Sequence, residues 1–142
     1  MAVTIRDQIL DAMLTRMLTV DAGAKRGFLR LAENELQGLC LWDGAESGMK
    51  TKYGKQSCML QVNVEIADRL EVADEATKVG NEMLGQVIKA MISTNTTLGG
   101  LAKSMAYENS LINYPPAGTG WIVGVNIIFS VEYETTLGNP YS

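Results

Sequence analysis

The chain contains no histidine. Histidine is the side chain that most readily moves a proton near neutral pH, and it is the commonest metal ligand. Its absence excludes a serine or cysteine nucleophile activated by imidazole. Cysteine is scarce too, with only Cys40 and Cys58 present. They are too far apart to form the closely spaced pair of a zinc or dithiol redox motif. Both fall in strand-like segments, so two states are open to them, reduced core thiols or a disulfide between neighbouring strands. The beginning of the chain lacks the basic segment and apolar run of a cleaved secretion signal, so reduced thiols are the expectation. No apolar run approaches the ~18 residues needed to cross a bilayer. These readings together predict a soluble protein made in the cytoplasm, with no membrane partner, no metal and no cofactor.

Positive charge is also in short supply. Twelve basic residues face 16 acidic ones, a net charge of −4 and a pI near 4.8. A protein that wraps nucleic acid by neutralising phosphates carries the opposite balance. Apolar residues make up 46% and charged residues 20% of the 142. That is ordinary globular composition, and a chain of this size has enough apolar surface for one core. A single domain spanning 1–142 is expected.

The clearest pattern in the chain is the alternation from Trp121 to Tyr133. Read with a period of two, Trp121, Val123, Val125, Ile127, Phe129, Val131 and Tyr133 share one face. Ile122, Gly124, Asn126, Ile128, Ser130, Glu132 and Glu134 share the other. This is the signature of a long β-strand with one dry side and one partly wet side. Residues 57–67 repeat it, with Cys58, Leu60, Val62, Val64 and Ile66 facing the core. Residues 36–42 read as an earlier strand closed by the turn dipeptide Asp43-Gly44. Residues 101–114 begin with a short turn and continue as a further strand, which 115–120 turns into the last one. Residues 28–35 read as a loop with one helical turn.

Two segments follow the helical period. The first starts at Thr4, whose hydroxyl can cap a free amide with Asp7 three residues on. It continues through about Val20, with Ile5, Ile9, Met13 and Met17 on one stripe. The second runs over 74–92, capped by Asp74, with Val79, Met83, Val87 and Met91 on its apolar stripe. Gly80 and Gly85 each cost about 1 kcal/mol relative to alanine in a helix interior; close packing of this helix on the sheet would explain them, and so would chance. The resulting order is α-β-β-α-β-β. It predicts an α+β fold with a mainly antiparallel sheet of about four strands and both helices on one face. Residues 45–56, polar and rich in glycine and lysine, read as an extended, flexible hairpin loop. Residues 135–142 read as a C-terminal arm.

Candidate chemistry is thin. Glu132 and Glu134 lie one strand period apart, but acid–base work needs a cleft and a tuned pKa, and the end of an exposed strand supplies neither. Glu65 reads the same way. Gly99-Gly100 and Gly118-Thr-Gly120 do not have the spacing of phosphate loops. Lys50, Lys52 and Lys55 with Tyr53 form a local basic patch, better suited to an acidic protein surface than to nucleic acid, with a merely solvated loop ranked above either. Of the eight methionines, Met13, Met17, Met83 and Met91 fall on helix core stripes, where the flexible thioether fills irregular gaps, with an adaptable binding surface as the alternative reading. The reading is a non-enzyme.

The layout resembles the tail terminator (tail completion, minor tail protein U-like) family of long-tailed bacteriophages. The resemblance is carried by the opening helix from Thr4 to Met13, the strand from Met59 to Ile66, the helix over 74–92 and, above all, the ending from Ser110 to Tyr133. That ending is a strand closing in tyrosine, a short polar turn with glycine, and an alternating strand that finishes in a Glu-Tyr pair. Residues 28–42 depart from the pattern. The resemblance implies a ring, usually a hexamer, on the head-proximal end of the tail tube. Such a ring stops tube polymerisation and offers a docking surface to the head connector. Self, the tail tube protein and a head–tail connector or head-completion protein would then be partners, with DNA as passing cargo in the lumen and the virion tail neck as the location. The 45–56 loop (Lys50, Lys52, Tyr53, Lys55) is the first candidate for partner contact, and the arm, anchored by Pro140 and Tyr141, is the second. Asn126, Ser130, Glu132 and Glu134 are candidates for a subunit interface or lumen face. Two other readings stand beside it: another neck component, such as a head-closure or tail-joining protein, and a small ligand-binding or enzymatic α+β domain.

Overall fold

The computed structural model describes residues 2–27, 38–69, 75–113 and 122–142. Two α-helices, α1 (Ile5–Met17) and α2 (Ala76–Ile92), accompany five strands: β1 (Lys25–Arg26), β2 (Gly38–Lys52), β3 (Lys55–Arg69), β4 (Ser104–Asn113) and β5 (Ile122–Thr136). They form one sheet in the order β1-β2-β3-β5-β4. β2, β3, β5 and β4 are joined antiparallel. β1 pairs parallel to β2, with Lys25 beside Cys40. The sheet is therefore mixed and five-stranded, where four antiparallel strands were expected. A two-residue strand carries no alternation from which it could be read.

Helix α1 begins as its capping chemistry dictates. The Thr4 hydroxyl accepts from the Asp7 N–H at 3.1 Å, and Ile9, Leu10, Met13 and Met17 are buried. The helix ends at Met17, three residues before the expected Val20. Helix α2 buries Ala76, Gly80, Met83, Val87 and Met91. The proposed cap Asp74 lies outside the described residues, and Glu75 at the N-cap makes no side-chain capping bond. Both helices pack on one face of the sheet, over Leu60, Val62, Val64, Val125, Ile127 and Phe129. The dry face of the last strand is as the alternation predicts, with Val123, Val125, Ile127, Phe129, Val131 and Tyr133 all buried. Trp121, like 28–37 and the turn over 115–120, lies outside the described residues.

The largest departure concerns 45–56. This segment is paired strand. β2 runs on to Lys52 and β3 starts at Lys55, leaving Tyr53 and Gly54 as the turn. Both have positive φ, 53° and 72°, the combination that a two-residue type I′ hairpin turn requires. Asp43-Gly44 is correspondingly a bulge and not a turn, because the β2–β3 register jumps between Asp43 and Glu46. A β-carbon on Gly44 would lie 2.7 Å from Asn63 Nδ2 and 3.3 Å from the Gln61 carbonyl. Glycine thus lets the bulged strand lie close to its neighbour.

The expected arm over 135–142 is also corrected. Thr135 and Thr136 belong to β5 and pair with Gln56 and Lys55. The remaining six residues fold back. Leu137 donates its N–H to the Gly54 carbonyl at 2.9 Å, and Ile5 donates to the Pro140 carbonyl at 2.9 Å. The end of the chain is thereby tied both to the hairpin turn and to the start of α1.

Candidate interaction surfaces

With both helices on one side, the other side of the sheet carries no helix among the described residues. In an antiparallel ladder, residues directly opposite share a face, so the register assigns its occupants. Glu65 lies opposite Asn126, which lies opposite Leu111. Asn63 opposes Ile128. Gln61 opposes Ser130, which opposes Ala106, and Met59 opposes Glu132, which opposes Ser104. The predicted residues Asn126, Ser130, Glu132 and Glu134 are therefore brought together on this face. Ser130 donates its hydroxyl to Glu108 at 2.6 Å. Lys103 pairs with Glu134 at 2.5 Å, and that hydrogen bond raises the Lys103 pKa. Glu108 was not singled out by the sequence. It sits at the β4 bulge between Tyr107 and Asn109, which turns it towards Ser130.

The second surface lies at the hairpin end. Tyr53 is 89% exposed and Lys55 is exposed beside it, while the backbone places Lys50 and Lys52 in the last residues of β2. The hydrogen bonds from Leu137 to Gly54 and from Ile5 to Pro140 bring the C-terminal residues and the start of α1 to the same place. Lys50, Lys52, Tyr53 and Lys55 on one side and Pro140 and Tyr141 on the other, two separate candidates in the sequence, thus belong to one end of the molecule. Val3 and Leu137, also exposed there, were missed, because a lone apolar residue in a polar stretch gives no periodic signal.

A polar cluster not anticipated from the sequence joins α1 to β2. Arg6 on α1 pairs with Asp43, its Nε 3.1 Å from Oδ2, and lies 3.4 Å from Glu46. Tyr133 donates its hydroxyl to Glu46. The hydrogen bond from Arg6 holds the Asp43 carboxyl below its ordinary pKa. Burial, and then the Glu46 carboxylate, push the Tyr133 phenol well above its own. Burial likewise raises the Cys58 thiol, which disfavours the nucleophilic thiolate. The cluster reads as a clamp between helix and strand.

A cleft of about 490 Å³ lies between the C-terminal ends of α1 and α2 and includes Arg16 and Lys89. The Arg16 guanidinium is occupied by the Asn95 carbonyl at 2.6 Å and by the Met91 carbonyl. Two helix C-termini also bring negative dipole ends to the cleft, which disfavours an anion. Among the described residues, no group of three or more Cys, Asp or Glu side chains is placed to hold a metal ion, and Cys40 and Cys58 are both buried thiols.

The site that this geometry defines is a pair of surfaces on an α+β scaffold. No protein-family model matches the sequence, and no curated protein is similar to it. In solved structures, the chain is similar to a component of the virion of a native gene transfer agent (GTA) particle. The TM-score is 0.55 at 10% sequence identity, over 93% of this chain and 92% of that one. At that identity the likeness establishes a shared fold, and it spans nearly all of both chains.

Proposed function

We propose that this chain is a structural virion protein of the tail terminator kind, with no catalytic activity. In this reading it assembles as a homo-oligomeric ring, a hexamer by analogy with that family, on the head-proximal end of a tail tube. The ring stops addition of tube subunits and presents a docking surface to the head connector in the tail neck, and DNA passes through its lumen. The observation that carries the reading is the near full-length fold shared with a component of a gene transfer agent virion. The two exposed surfaces support it, because a ring subunit must present different surfaces to its neighbours.

The deciding experiment mixes the purified chain with isolated tail tubes and images them by negative stain. A terminator caps one end of each tube in the absence of heads and stops further growth when tube subunits are added. Binding to heads or connectors alone, with tubes left bare, would instead assign the chain to a head-closure or tail-joining role. Strong thermal stabilisation by a small metabolite, with no binding to tubes or heads, would favour the ligand-binding alternative.

A further inference from the structure

We propose that the hairpin end of one copy docks head to tail on the helix-free sheet face of a second copy. This deepens the ring reading by naming the two surfaces that meet, and it rests on that reading for its occupant.

The first observation is the apolar content of the hairpin end. Val3, Tyr53, Leu137 and Tyr141 are 46%, 89%, 57% and 51% exposed. They come from three separate chain segments, gathered by the Leu137–Gly54 and Ile5–Pro140 hydrogen bonds. Single exposed apolar residues are ordinary, but a gathered set rimmed by charge marks a contact surface. Aromatic residues with an amphipathic ring are also the side chains that most often anchor protein interfaces.

The second observation is charge. Lys50, Lys52 and Lys55 fall within six consecutive residues at this end. With those three set aside, nine basic residues face 16 acidic ones, so the rest of the chain carries −7. A basic, apolar end on an acidic molecule is complementary to another copy of that molecule.

The third observation selects the place on the second copy. The helix-free face carries Glu65 and Glu132, together with Glu108, held by Ser130. Between them lie Leu111, 62% exposed, and Ile128. This face therefore offers carboxylates around apolar side chains, the inverse of the hairpin end. The two surfaces differ, so the contact is heterologous and propagates from copy to copy until rotation closes it.

The test is sedimentation of the full chain across a concentration series, with variants on each surface. Tyr53→Ala is expected to weaken self-association at least about tenfold, as for an interface anchor. Leu18→Ala, at an exposed apolar residue on the far end of α1, is expected to leave it unchanged. Lys55→Glu and Glu132→Lys should each weaken association alone, while an equimolar mixture of the two should regain it, because each variant's altered surface meets its complement. A wild-type chain that stays monomeric throughout, or a mixture without recovery, overturns the docking scheme. Neither result touches the virion reading, which stands or falls on tube capping. Retained capping alongside failed recovery would place the subunit contact elsewhere.

Discussion

A β-carbon built on Gly80 would lie 2.8 Å from Ile112 Cγ2 and 3.4 Å from Val123 Cγ2. Gly80 is where α2 packs against β4 and β5, with the Ile112 side chain occupying the space that a larger residue would need. Gly80→Ala forces that side chain or the helix outward. Overpacking of this kind costs about 1–3 kcal/mol, more than the improved helix propensity returns. Urea denaturation of the variant should show a lower midpoint.

Gly85 makes the opposite case. It is exposed on the same helix, and an added β-carbon meets nothing within 4 Å. Gly85→Ala is expected to stabilise by roughly 0.5–1 kcal/mol through helix propensity and a less flexible unfolded chain. A raised thermal midpoint checks it, and the contrast with Gly80→Ala separates packing from propensity on one helix.

The Arg6–Asp43 pair predicts an acid dependence. Asp43 has a folded pKa below its ordinary value of 3.8. Its stabilisation is therefore present above about pH 4 and is lost as pH falls through the lowered value. Both side chains are about a third exposed or more, so solvent discounts the pair to roughly 0.5–1 kcal/mol. Arg6→Met should lose about that much at pH 7 and little once the pH has fallen through the lowered value, giving a shallower acid limb in denaturation measured across pH.

Tyr133 predicts an alkaline dependence. Its folded pKa lies above the ordinary 10.0, because burial and the Glu46 hydrogen bond both oppose the phenolate. The unfolded chain releases the proton first, so stability holds below about pH 10 and falls above it. Tyr133→Phe should remove this tyrosine's contribution to that decline. At neutral pH it should cost about 1 kcal/mol for the lost hydrogen bond. Denaturation midpoints at pH 7 and pH 11 for the two proteins provide the comparison.

The core of this fold could be read from periodicity because its residues are periodic for a reason that acts locally. Val123 through Tyr133 must alternate to bury one face of a strand, and Ile9, Met13 and Met17 must recur to bury one face of a helix. Residues 45–56 defeated the same reading. Their glycines, lysines and polar side chains have the composition of a loop, yet β3 continues to Lys55 because β5 pairs with it as far as Thr136. Strand formation there depends on neighbours distant in sequence, and local propensity cannot express that dependence. The joining of the hairpin end to the C-terminal residues was hidden for a related reason. It is made by backbone hydrogen bonds from Leu137 and Ile5, and any residue except proline can donate one. On the open sheet face, Asn126, Ser130, Glu132 and Glu134 could be grouped because they share one strand. Glu108 could not, since a bulge sets its direction.

That bulge has a consequence for how the chain survives before it meets its partners. Among the described residues, β4 pairs with β5 alone, which leaves a ten-residue strand at the margin of the sheet. A straight margin of that length is a template on which strands of other chains can stack into fibrils. The register shift at Glu108 cuts it into two short runs, 104–107 and 109–113, and puts a carboxylate at the break. Straightening the strand by deleting Glu108 would therefore show itself first as precipitation during expression, before any loss of fold was measurable.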